Sequence, residues 1–138
     1  MPETPTAAET FAGLVRVVHL ISLAGAQELR THGLTPAQYQ VLVLLHRRPR
    51  ATQRELTDAL GVTKGNVSQL LSRLAEARLL DRTPEGAANR IGLTDRGRQL
   101  IRELIPAHQE FLTRSFSALN DEELGTLARL VAKLESRL

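Results

Sequence analysis

The sequence predicts a mainly helical chain with one small β-hairpin, and three observations carry that prediction. Thr6–Glu9, Thr35–Gln38, Thr52–Glu55 and Asn120–Glu123 each pair a capping residue with an acid or amide three places on, the signature of a helix start. Apolar residues recur at helical spacing through most of the chain. Strand candidates are confined to Leu79-Leu80 and Arg90-Ile91-Gly92-Leu93, separated by turn chemistry between Thr83 and Asn89.

The elements follow in order. A first helix runs from about Ala7 to Arg30, and Gly33 is placed to cap its end. Phe11, Leu14, Val18, Ile21 and Gly25 follow 3-4-3-4 spacing, while Val15, Val17, Leu20 and Leu23 widen the apolar surface. Such a helix needs more than one neighbour. A second helix, about Pro36 to Arg47, turns Tyr39, Leu42, Val43 and Leu45 inward and breaks at Pro49. A short third helix, about Gln53 to Leu60, carries Leu56 and Ala59 inward. After Gly61-Val62, Thr63 caps a fourth helix to about Ala77, with Val67, Leu70, Leu71 and Leu74 on one side. The hairpin comes next. Thr94 then opens a long fifth helix in which Pro106 predicts a kink. A last helix, 121–137, places Leu124, Leu127, Val131, Leu134 and Leu138 in a narrow seam of coiled-coil type.

Composition removes several classes of function. In 138 residues there is no Cys, so there is no disulfide framework, thiolate nucleophile or thiolate metal site. His19, His32, His46 and His108 never fall at i, i+3 or i+4 from one another, which argues against zinc. No uninterrupted apolar run reaches the roughly 18 residues of a membrane span, and the N-terminus lacks signal-peptide character, so a cytoplasmic protein without a membrane partner is expected. There is no Gly-rich phosphate loop and no Ser/His/Asp pattern, so neither an enzyme nor a cofactor is expected.

Charge is unevenly spread. Residues 47–98 hold eleven Lys/Arg against six Asp/Glu, a balance of +5, while the remainder carries −2. A basic centre between mildly acidic ends points to a polyanion at the centre. Sixteen of the eighteen basic residues are Arg, whose planar fork suits phosphate and guanine edges.

Helix, tight turn, helix, then hairpin is the order of a winged helix-turn-helix. Opposite its apolar stripe the fourth helix presents Thr63, Lys64, Asn66, Ser68, Gln69, Ser72 and Arg73, with Gly65 between them and no carboxylate before Glu76. A surface without acids tolerates a groove lined with phosphates. There Asn and Gln can read adenine, and Arg can read guanine. Gly65 in the first turn would let backbone approach a phosphate. Arg82, Asn89 and Arg90 lie on the hairpin, where an arginine can enter a narrow minor groove. Thr52, Gln53 and Arg54 open the preceding helix; binding of backbone phosphate through free N–H groups and plain capping are the two readings of them, and they do not exclude each other.

These residues resemble the multiple-antibiotic-resistance regulator (MarR) family across nearly the whole chain. The matching parts are Leu34-Thr35, then Leu56-x3-Leu60-Gly61-Val62-Thr63, then Val67-Ser68-x-Leu70-x2-Leu74, then Leu93-Thr94-x2-Gly97. Two departures stand out. Arg78 occupies the place where the family usually carries Gly after the recognition helix, and a left-handed Arg there costs on the order of 1 kcal/mol. Glu85-Gly86-Ala87-Ala88 replaces the usual Asp-x-Arg of the wing, leaving Arg90 to take over or the wing to contribute less.

Residues 34–94 suffice for the winged helix-turn-helix, so residues 1–33 and 95–138 are expected to form a helical dimerisation region. Phe11, Leu14, Val18, Leu124, Leu127, Val131 and Leu134 would be the interface, buried by a two-fold partner. The resemblance implies the same homodimer. It also implies a small phenolic or anionic effector in a cleft, for which position nominates His19, Tyr39 and His108; partly buried structural side chains are the other reading of these three. The expected function is a sequence-specific regulator of transcription that binds operator DNA as a homodimer, acting as a repressor. The rival is a dimeric winged-helix protein-interaction module that has lost DNA binding. Salt dependence separates the two.

Overall fold

The computed structural model describes residues 3–61, 64–86 and 88–138. Helix α1 (Ala7–Arg30) starts at a reciprocal cap: the Glu9 N–H donates to Thr6 Oγ1 at 3.2 Å, and the Thr6 N–H donates to the Glu9 carboxylate at 2.8 Å. That backbone donor, helped by the Thr6 hydroxyl, holds the Glu9 carboxyl below its ordinary range. The same exchange between Thr35 and Gln38 opens α2 (Pro36–Arg47). Asn120 and Glu123 repeat it at α6 (Asp121–Glu135). Helix α3 (Gln53–Leu60) differs. Thr52 Oγ1 accepts from the Glu55 N–H at 3.1 Å, but the Glu55 carboxylate turns away toward arginines.

Gly61, left-handed at φ 66°, ends α3, and α4 (Lys64–Glu76) follows. Thr63, expected to cap α4, lies outside the described residues, as does the Lys64 side chain. Beyond α4 come β2 (Leu80–Glu85), β3 (Ala88–Leu93) and α5 (Asp95–Ser115), which continues through Pro106.

The hairpin is longer than the sequence suggested. Its strands reach Glu85 and start again at Ala88, with Gly86 in the left-handed region at φ 62°. Pro84 fits because β2 is an edge strand, where a missing N–H costs little. A third strand was not anticipated. Residues 51–52 form β1, pairing antiparallel with β3 in register Ala51↔Ile91 and Thr52↔Arg90, so the sheet order is β1-β3-β2.

One core joins these pieces. Val41, Leu42 and Leu45 of α2 meet Leu56 of α3, Val67, Leu71 and Leu74 of α4, Ile91 and Leu93 of β3, and Ile101 and Leu104 of α5. Ala59, expected to point inward, is exposed, and Leu60 is half-buried against the core instead. At the junction of α4, β2 and α5 the packing is tightest. Arg78 takes φ 60°, its carbonyl accepts from Thr94 Oγ1 at 2.6 Å, and the Thr94 N–H donates to the Leu79 carbonyl at 3.1 Å. A Cβ on Gly97 would stand 2.2 Å from that Leu79 oxygen, so only glycine lets α5 approach.

Helix α1 packs on α2 and α5 near its end, where Gly25 sits against the Phe111 ring and Glu28 pairs with Arg114 at 2.9 Å. Its other faces are bare: Phe11 is 68% exposed, Val18 63% and Leu20 63%. By length and composition α1 could cross a bilayer, which corrects the expectation drawn from uninterrupted runs. Arg16 and His19 break the run without lowering the average enough. The same composition suits a helix that packs against protein.

Candidate nucleic-acid interface

Helix α4 divides along its length. Val67 and Leu71 are fully buried and Leu74 almost so, fixing the helix on the domain. The opposite side holds Asn66, Ser68, Gln69, Ser72 and Arg73, all exposed, with Gly65 in the first turn. The first acid on α4 is Glu76, at its C-terminal end. This face can donate and accept hydrogen bonds without presenting charge that repels phosphate.

The start of α3 stands beside it. Thr52 and Gln53 are half-buried and Arg54 is exposed. Together with Thr57, Asp58, Arg82, Asn89 and Ile91 they line a cleft of about 540 Å³ between α3 and the sheet. The Thr52 hydroxyl caps α3, and the free first-turn N–H groups of that helix are oriented for an anion. Within this cleft the structure thus brings together Thr52, Gln53, Arg54, Arg82 and Asn89.

Arg90 is different. Its guanidinium is half-buried, 3.2 Å from Glu85 across the hairpin and 3.6 Å from Glu55 on α3. Glu55 also reaches Arg48 at 3.9 Å. The wing therefore has an acid orienting its arginine after all: Glu85, reached through the register Thr83↔Arg90 and Glu85↔Ala88. Arg82 has no ion pair among the described residues. Sequence reasoning missed Arg50, which donates to Thr83 Oγ1 at 2.8 Å. The signal available in the sequence is the basic run Arg47-Arg48-Pro49-Arg50.

Of the residues nominated for an effector cleft, Tyr39 and His108 meet at 5.1 Å between ring centroids, and His108 stacks on Phe111 at 5.8 Å. Burial pushes the Tyr39 phenol up, with Arg47 pulling the other way. His19 lies exposed on α1, and no ring contact joins it to this group among the described residues. The residues nominated for a dimer seam all reach the surface: Phe11, Leu14, Val18, Leu124, Val131 and Leu134 are exposed and Leu127 is half-buried.

A helix pair whose second member exposes an acid-free polar face, followed by a three-stranded sheet with a projecting hairpin, defines a winged helix-turn-helix protein of the DNA-binding class. Comparison with known proteins shows what the chain is similar to. Residues 32–91 match the MarR family model. An uncharacterized HTH-type transcriptional regulator of Bacillus cereus is 29% identical over 122 residues, covering 88% of this chain and 83% of that one. The fold of wild-type MarR from E. coli superposes with a TM-score of 0.82 at 21% identity, covering 96% of this chain and 98% of that one. AbsC, a MarR family transcriptional regulator from Streptomyces coelicolor, gives 0.80 at 24%, covering 99% and 97%. Over residues 32–91 the chain is thus similar to the MarR family, and over most of its length it is similar to HTH-type transcriptional regulators and shares the fold of solved MarR structures.

Proposed function

We propose that this chain is a homodimeric repressor that occupies a pseudo-palindromic operator in the cytoplasm, with α4 in the major groove of each half-site. The observation that carries the reading is the exposed face of Asn66, Ser68, Gln69, Ser72 and Arg73, without a carboxylate until Glu76. Asn66 and Gln69 are the candidates for adenine, Arg73 for guanine or phosphate, and Thr63 and Lys64 for backbone phosphate. Thr52, Gln53 and Arg54 hold a phosphate at the start of α3. On the wing, Arg82 and Asn89 contact DNA, and Arg90 braces the hairpin through Glu85 and Glu55.

Two supports favour a dimer. The apolar stripes of α1 and α6 are exposed on one chain, more than a monomer of this size ordinarily leaves bare. A two-fold pair would also present two reading helices, matching a palindrome. In the family's E. coli MarR, a variant has been crystallised with operator DNA. A small phenolic or anionic effector would release the operator by changing the pose of the two heads.

The test is selection of bound sites from random duplex DNA. The expected result is a palindrome whose half-site centres lie about one helical turn apart. Binding to the selected site should weaken steeply with salt, with a log–log slope of about −0.9 per phosphate contacted. Recovery of no sequence, or flat salt dependence, would favour the protein-interaction reading.

A further inference from the structure

Arg50 lies one residue before β1, and extending the register Ala51↔Ile91 by one sets it level with Gly92 of β3, which pairs in turn with Asp81 of β2. Ala51 and Ile91 are buried, so by alternation the Arg50 side chain lies on the opposite, outer face of the sheet. There it crosses β3 and donates to Thr83 Oγ1 on β2 at 2.8 Å. Gly92 permits the crossing. A Cβ at that position would crowd the Pro49 carbonyl oxygen at 3.1 Å and fill the space beside Arg50 Cγ at 3.8 Å.

The strand that Arg50 reaches has no core beneath it. Past Leu80 every residue of β2 is exposed, and a two-stranded ribbon twists more readily than a wider sheet. The near end of the strap is firm by contrast: Ala51 is buried, and β1 runs straight into Thr52, the cap of α3. Arg90 joins β3 to α3 through Glu55, and Arg50 adds a tie to β2 from outside the hairpin. Arg82, next to Thr83 and paired with Ile91, turns to the other face, into the cleft it lines with Thr52, Gln53 and Arg54. A hydrogen bond on the back of the sheet therefore bears on how far Arg82 stands from the start of α3. We propose that Arg50 is a positioning residue of the DNA interface: strapped across Gly92 to Thr83, it sets the span of the cleft between the wing and α3. The consequence for DNA rests on the operator reading; the strap itself does not.

The experiment has two arms on the full chain. Arg50→Met keeps an unbranched stem over Gly92 and removes the donors, Thr83→Val removes the acceptor without changing charge, and Thr83→Ser keeps the hydroxyl. Without DNA, amide hydrogen exchange over residues 80–93 should quicken about threefold or more in Arg50→Met and Thr83→Val, with α4 and α5 exchanging as in the parent and Thr83→Ser matching the parent throughout. Unchanged hairpin exchange in either of the first two variants would overturn the strap. In the second arm, Thr83→Val should weaken binding of the selected duplex about threefold or more while Thr83→Ser binds as the parent does. Arg50→Met should then cost less affinity in the Thr83→Val background than in the parent. Parental affinity in Thr83→Val, or an equal cost of Arg50→Met in both backgrounds, would overturn positioning and make Arg50 a direct contact. If the parent binds no duplex, the operator reading fails while the exchange arm still decides the strap.

Discussion

Replacing Gly97 by Ala probes the joint that fixes the wing to the long helix. The added Cβ would lie 2.2 Å from the Leu79 carbonyl oxygen and 3.1 Å from the Leu79 carbonyl carbon. Carbon–oxygen contacts settle at about 3.3–3.6 Å, so about 1 Å must be found by moving backbone rather than a pliable side chain. The oxygen is not free to leave, because it accepts from the Thr94 N–H at 3.1 Å. Its neighbour Arg78 is already left-handed, at φ 60°. Overpacking of this kind costs about 1–3 kcal/mol, and a rigid neighbour places it at the upper end. Alanine returns about 0.5–1 kcal/mol of helix propensity, leaving a net loss of about 2 kcal/mol. Urea denaturation at one fixed protomer concentration measures it, since association would otherwise contribute. A variant as stable as the parent would mean that α5 does not close on Leu79 as described. At temperatures well below unfolding, the same variant should bind DNA more weakly, because the joint sets where the wing stands relative to α4.

Three further outcomes are expected. Arg82→Ala should weaken DNA binding and make the salt slope shallower by about one unit, whereas Arg90→Ala should leave the slope unchanged and lower affinity by baring Glu55 and Glu85; adding Glu55→Gln and Glu85→Gln to Arg90→Ala should then restore affinity, and no restoration would refute the bracing role. Val18→Glu and Val131→Glu, at exposed positions that leave the core intact, should shift sedimentation toward a monomer and reduce DNA affinity with it; an unchanged dimer would place the seam elsewhere. Tyr39 is the only tyrosine, so its ultraviolet titration reads one phenol. Its midpoint should lie above the ordinary 10.0, and Arg47→Gln should move it higher. The sign follows: a raised phenol contributes stability that is complete below the unfolded value and is lost as pH rises through the folded one.

The helices were legible because each carries its own boundary marks. Thr6, Thr35 and Asn120 cap where the sequence places them, and the α4 stripe of Val67, Leu71 and Leu74 is buried as its spacing requires. Arg78 was legible as a left-handed residue only through the resemblance, which puts a glycine at its place. The sheet was not. Two residues cannot show a period, so β1 exists only through pairing with β3. In β2 only Leu80 is buried, and the strand then projects with both faces in solvent, so no alternation marks its length. Glu55 shows the same limit in a side chain. Local spacing makes it the second half of a capping box, yet it serves an arginine thirty-five positions along the chain, and no local signal encodes that.

That diversion gives the interface its charge pattern. A carboxylate left bare at the start of α3 would oppose the N–H groups beside it that we propose hold a phosphate. Engaged by Arg90 and Arg48, Glu55 no longer presents a free negative charge there. Glu85 is dealt with in the same way by Arg90. Arg90 thus pairs with one acid of the wing and, together with Arg48, with one acid of α3, while Arg54 and Arg82 face the cleft without an ion pair among the described residues. Exposed pairs of this type add little to stability, typically under about 1 kcal/mol. Their effect lies in the field seen by an approaching polyanion, which a stability measurement alone would overlook.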